Sequence, residues 1–349
     1  MRTTSYASFD DALETLAGYG IELSNGNSNH APMVAEALCA MGRPDAVMPW
    51  LSRYRERMLP RLAAGDRIFR DRWRSALGRR DRFTDWAVFF DDELQQAPWA
   101  EVLDQWVARL APGFCAAATH GAIRLGHAVR SLMAAETQWR LRELADALAS
   151  WAATYQELPT SDLTSGTMTP RQAVANLPII APHSRRSLGN ITKSLAMLDD
   201  LPEFAPVIGL LDVSNDIERL LAELNETFAR LYLANAHDVL TTIVFIHGVT
   251  SLAAVGNMIP AVSQATARSL VRFAWQSGCA LYACFGTQPM AEVFPHRELD
   301  ENILVDHAVA NGDEHVIKFT EACLRRHALD PLPVYPAAVE SALRLMQRR

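Results

Sequence analysis

The chain is 349 residues with 33 basic and 40 acidic side chains, a net charge of -7, and 49% hydrophobic against 21% charged residues. Those proportions exclude collagen-like, coiled-coil and wholly disordered chains. With no basic tail they also argue against nucleic acid as the main partner, because phosphate binding needs clustered Lys and Arg. The Arg-rich stretch 67–82 is the local exception; it carries Asp71 and Asp81 and is expected to be a solvated helix face.

The N-terminal segment MRTTSYASFDDALETLAGYG has early acids and lacks the apolar run of a secretory signal. Helix-period patterning dominates from there on, without a convincing set of alternating strands, so the expected class is all-α. Ser28 is placed as the N-cap of a helix through Met33, Leu38 and Met41 that stops at Gly42, and 45–58 as a second helix. Further helices are expected at 85–96, 99–110, 115–134, 137–155, 216–233, 238–255, 262–276, 300–310, 313–326 and 337–347. The window 239–255 is apolar enough to resemble a membrane span, but it carries His247 and lacks an aromatic belt, so it reads as a buried core helix and no membrane is expected.

The composition breaks at LPTSDLTSGTMTP (158–170), and a second irregular stretch covers 177–190. Both flanking halves are helical and neither contains a repeat, so the expectation is one large domain, 1–349, with an irregular connection at about 158–190. Homo-oligomerisation is left open. The odd set Cys39, Cys115, Cys279, Cys284 and Cys323 contains no CxxC and lies in apolar surroundings, which points to thiols in a reduced, cytoplasmic compartment.

Common catalytic signatures are missing: GxGxxG opening a helix, GxxxxGK, GxSxG, HExxH, and Glu three residues before His. Histidine carries what chemical signal remains. His30, His120, His127, His237, His247, His307 and His315 fall on or beside expected helices. A His in an apolar run is either hydrogen-bonded in the core or bound to something, since both ring nitrogens need partners. His247 in TTIVFIHGVTSLAAV and His120 in AAATHGAIRLGH are each followed by a glycine that admits a close neighbour. Several such histidines meeting at one point would suit zinc, iron, copper or nickel.

Only two of the 33 basic residues are lysine, Lys193 and Lys318. Where arginine has replaced lysine almost everywhere, a retained lysine suggests chemistry that a guanidinium cannot perform. Lys318 lies three residues after His315 in DEHVIKFTEAC, on the same helix face. A deprotonated amine can take up carbon dioxide as a carbamate, which offers oxygen ligands. The plain alternative is a surface lysine.

The segments SNHAPMVAEALCAMG (28–42), ATHGAIRLGHAVRSL (118–132), VFIHGVTSL (244–252) and GDEHVIKF (312–319) resemble, in order, the motifs of the questin oxidase-like proteins. That resemblance implies an oxygenase or oxidase acting on an anthraquinone-like or other polyketide-derived phenol, with oxidative ring cleavage as its reaction and a small aromatic substrate and molecular oxygen as its partners. Some members are described as non-haem iron enzymes holding Fe(II) with four histidines and a carboxylated lysine. Carried onto this chain, that ligand set falls on His30, His120, His247, His315 and Lys318. Arg124 stands where fungal sequences have a second His, so Arg124, His127 and His307 are expected in the pocket or behind the ligands, with His237 there or purely structural. Other members are described as NADPH-dependent Baeyer–Villiger-type oxidases; a metal-free enzyme of that kind and a non-catalytic helical binding protein are the alternative readings. The lack of a dinucleotide fingerprint weighs against the first, and the retention of all five candidate ligands against the second. The aromatics Trp50, Trp86, Phe89, Phe90, Trp99, Trp106, Trp151 and Tyr155 predict a largely apolar pocket between helices, although most are expected in the core.

Overall fold

A computed structural model describes residues 6–163, 165–186, 189–213, 216–295 and 300–347. The all-α expectation holds: helices dominate, joined by a single two-stranded ribbon. The described chain groups into two compact units. One comprises 1–156 with 256–266, the other 157–255 with 267–349.

In the first unit, α1 (Ala7–Leu16), α2 (Ala31–Ala40), α3 (Val47–Tyr54), α4 (Phe83–Gln96), α5 (Trp99–Leu110), α6 (His120–Ala134) and α7 (Gln138–Ala153) pack around an aromatic and aliphatic core, with α7 lying against both α4 and α6 and α2 against both α1 and α6. Strands β1 (Tyr19–Leu23) and β2 (Met58–Pro60) pair antiparallel, an element that the helical periodicity hid. Trp86, Phe90 and Trp106 are completely buried, and Trp73 and Phe89 join them in edge-to-face and stacked contacts 5.0–6.0 Å between centroids. These rings fill the core. Phe89 also lines a cleft with Ile68, Val88, Arg67 and the carboxylates Asp66, Asp85 and Asp92. Close approach of α6 and α7 requires Gly121, where a Cβ would stand 2.8 Å from Trp151 Cα.

In the second unit, α10 (Ile217–Asn235), following the short helices α8 (Pro170–Ala175) and α9 (Ile191–Ser194), packs against α15 (Val334–Leu345), and α13 (Glu301–Asn311) and α14 (Glu314–Leu329) pack with α15 and with each other. Most of α11 (Val239–Met258) and α12 (Gln264–Phe285) belongs here too. Helix α11 is long and apolar enough to cross a membrane by length and composition, yet 72% of its most apolar window is buried within the protein. At Gly248 a Cβ would lie 3.1 Å from Phe228 of α10, so the glycine after His247 does admit a close neighbour. Asp216, Asp300 and Asp313 cap α10, α13 and α14 by accepting backbone N–H bonds, which fixes those starts where their sequences placed them.

Four local expectations need correction. Ser28 does not cap α2: Asn29 Oδ1 accepts the Ala31 N–H (3.0 Å) and His30 occupies the cap position. The span 45–58 divides into a short 3₁₀ turn, α3, another 3₁₀ turn and β2, because the alternating Met58–Pro60 segment pairs with β1. The Arg-rich stretch 67–82 is irregular apart from the 3₁₀ turns Trp73–Ala76 and Arg80–Arg82, although its arginines remain mostly exposed. The helix expected from 115 starts at His120, because Ala117, Ala118 and Thr119 are left-handed.

Candidate metal centre

In the first unit His30 and His120 sit at the N-terminal ends of α2 and α6, which places both imidazoles at helix starts. His30 is 3% exposed, and its backbone N–H donates to Tyr54 Oη (2.9 Å), tying the turn before α2 to α3. Below it Asn29 Nδ2 donates to the Gly20 carbonyl on β1 (2.9 Å). The half-buried His120 ring has Nδ1 2.5 Å from the Ala117 carbonyl. A carbonyl only accepts, so Nδ1 carries the proton and Nε2 of the neutral ring has the lone pair. That Nε2 lies 2.8 Å from His30 Nε2, with ring centroids 4.5 Å apart. Two imidazole nitrogens each about 2.1 Å from one cation and at right angles would be about 3 Å apart, so the pair fits two adjacent positions of a metal.

The second unit supplies His247, His315 and Lys318. His247, 1% exposed in the middle of α11, has Nδ1 2.6 Å from the Ile243 carbonyl one turn back. The half-buried His315, near the start of α14, has Nδ1 3.2 Å from Asp313 Oδ1, and the same carboxylate accepts its backbone N–H at 2.8 Å. Burial tends to raise the Asp313 carboxyl, but the bonds from His315 and from the Val316 N–H outweigh it and hold the group below its ordinary value. The His247 and His315 rings are 5.7 Å apart at 72°. Like His120, both rings direct Nδ1 to an oxygen, the arrangement that gives the lone pair to Nε2 and is usual for metal-binding histidines.

Lys318 is 1% exposed, whereas Lys193, the other lysine, is exposed on α9. Desolvation pushes the Lys318 ammonium down to about 8, against the opposing pull of Glu314 and Asp313. Roughly a tenth of an amine with that value is neutral at pH 7, far more than at its ordinary 10.5, and the neutral form is the one that captures carbon dioxide.

Of the remaining sequence candidates, Arg124 is buried and forms a bidentate ion pair with Glu143 (both bonds 2.7 Å). It lines a small cavity with Asn29, Trp139 and Asp146, directly behind the residue that precedes His30. His127 Nδ1 lies 2.6 Å from Glu36 Oε2. His307 and His237 are exposed. The sequence reading missed Glu36. This carboxylate is completely buried and accepts from Tyr6 Oη (2.8 Å), His127 and Arg130 Nε (2.8 Å), joining the chain before α1, helix α2 and helix α6. The available signal was an acid inside the apolar run MVAEALCA. All five cysteines are buried thiols outside any disulfide among the described residues.

The model of the questin oxidase-like family matches residues 27–323, well over half of the chain, and the chain belongs to that family. No curated protein matches it. The matched span contains every residue of the two histidine sets and Lys318.

Proposed function

We propose that this chain is a non-haem, iron-dependent oxygenase acting on an anthraquinone-like or other polyketide-derived phenol, with His30, His120, His247, His315 and a carboxylated Lys318 as the ligands of Fe(II). Membership of the family makes the protein an oxidase or oxygenase of polyketide metabolism; iron, ligand set and substrate class are our reading. The observation that carries it is the His30–His120 pair of the first unit, whose Nε2 atoms lie 2.8 Å apart; the Nδ1 atoms of His120 and, within the second unit, of His315 are directed at oxygens.

A bound ferrous ion would supply the one-electron and oxygen chemistry that amino-acid side chains lack. The chain's own contribution is orientation and exclusion of water. The Ala117 carbonyl, the Ile243 carbonyl and the Asp313 carboxylate each fix one imidazole in the Nδ1–H tautomer. Lys318 contributes an amine whose neutral fraction burial enlarges; the neutral nitrogen attacks carbon dioxide, a C–N bond forms, one proton is released, and the product is an anionic carbamate. In each unit one of the two rings is buried, His30 or His247, and the other, His120 or His315, is half-buried.

Oxygen uptake against a panel of anthraquinones and their reduced hydroquinones tests this reading. Consumption with at least one polycyclic phenol, abolished by chelator and restored by ferrous iron, is the expected result. No binding and no uptake across the panel would end the substrate assignment, and uptake indifferent to chelator would end the iron assignment.

A further inference from the structure

The residues just before His120 form a backbone arrangement that sequence periodicity gave no reason to expect. Ala117, Ala118 and Thr119 have φ of 48°, 55° and 71°, and they are the non-glycine residues with positive φ among the described residues. Left-handed backbone costs an L-residue roughly 1–2 kcal/mol, so glycine would be the inexpensive choice at each position. Instead the segment carries three Cβ atoms in succession, one of them β-branched, all buried. Strain of this kind persists where the surroundings over-determine it and clusters at functional sites.

Its geometric product is the placement of one carbonyl. The left-handed run reverses the chain after Phe114–Ala116 and brings the Ala117 oxygen under the first turn of α6, where it accepts the His120 backbone N–H (3.4 Å) and lies 2.5 Å from His120 Nδ1. The Thr119 carbonyl meanwhile accepts the Ile123 N–H (3.0 Å), so helix and turn lock each other.

We propose that the Ala117–Thr119 turn is a strained positioning element that holds His120 in the Nδ1–H tautomer, with Nε2 turned toward His30, and so prepares the pair for a divalent cation. The functional part rests on the metal reading above; the tautomer part does not. Ala118→Gly tests it, because the bond to the imidazole comes from the carbonyl of residue 117 and glycine accepts positive φ freely. Glycine keeps the left-handed region open but opens the rest of the backbone map as well, so the turn loses its steric confinement and the carbonyl of residue 117 its fixed aim.

Two measurements on the full-length protein decide the matter. Long-range ¹H–¹⁵N spectra of the metal-free protein at pH 8 should show His120 as one Nδ1–H tautomer in the wild type and as a mixture in Ala118→Gly, although the melting temperature of the variant stays equal or rises by about 1–2 °C. Titration with Co(II) should show at least tenfold weaker binding in the variant. An unchanged tautomer, or Co(II) affinity within twofold of a wild type that binds, overturns the proposal. If the wild type binds no Co(II), the metal reading fails, and the tautomer measurement alone decides whether the turn positions His120.

Discussion

Two completely buried charged groups, Glu36 in one unit and Lys318 in the other, show opposite resolutions of the same electrostatic problem. Burial alone would raise the Glu36 carboxyl, yet Arg130 and His127, by charge and by hydrogen bonds, hold it far below the ordinary carboxylate range. Burial prevails at Lys318, where the acids Glu314 and Asp313 offset the loss of water only in part and the amine falls to about 8. A charge matched by its neighbours is fixed in place and serves the fold. One left under-compensated is poised to give up its proton, which is where chemistry is to be sought.

The contrast can be broken most severely at Lys318. Lys318→Arg should lose metal and oxygenase activity together, since a guanidinium neither deprotonates nor forms a carbamate. Lys318→Glu should restore part of the metal binding through a shorter carboxylate, and Lys193→Arg should change nothing. Metal content and oxygen uptake measured side by side on the three variants check this; an active Lys318→Arg enzyme would remove the lysine from the account.

At Glu36 the expected effect is on stability. Glu36→Gln preserves shape but leaves Arg130 and His127 without their anion, and should cost about 3–5 kcal/mol in denaturant unfolding. Lys318→Met should do the reverse, stabilising the metal-free protein by roughly 1–3 kcal/mol because an ill-compensated buried charge disappears. Equal effects of the same sign would show that the two sites are not opposites.

Their pH dependences sharpen the same point. The Lys318 amine binds a proton in the unfolded chain up to its ordinary value of 10.5 but in the folded protein only up to about 8. Between those limits the unfolded state holds more protons, so the destabilisation from this group is full below about 8 and is relieved as pH rises through that window. The Glu36 contribution is present above the ordinary carboxylate value and is lost as pH falls below it, because its folded value is depressed. Subtracting the stability profile of Lys318→Met from that of the wild type isolates the first window; a flat difference from pH 8 to 10.5 would contradict it. The smallest effect belongs to Asp91, which desolvation and the nearby Asp146 raise to about 6. Asp91→Asn should stabilise the protein at pH 7 by about 1 kcal/mol after solvent screening, and the gain should fade as pH falls through 6 towards 4.

Helix existence was largely legible because local rules decided it. The 99–110 pattern matches α5 end to end, and the Asp-capped starts of α10, α13 and α14 fell where side-chain capping puts them. What stayed hidden depends on distant partners. β2 exists because β1, some forty residues earlier, supplies its hydrogen bonds. Glu36 is explained by Tyr6, His127 and Arg130, none of them within one helical turn of it. The left-handed turn at 117–119 carries Ala-Ala-Thr, residues with no preference for that conformation. At the candidate site the histidines and Lys318 could be singled out by apolar context and lysine scarcity, whereas their tautomers could not, because the acceptors are two backbone carbonyls and one capping carboxylate.

The central claim, an iron centre held by nitrogen and carbamate ligands, is met most directly by elemental analysis of protein purified without added metal. The account predicts about one iron per chain, lost from Lys318→Arg. Iron well below stoichiometry in carefully prepared wild-type protein, with oxygen uptake unaffected by chelator, would contradict it.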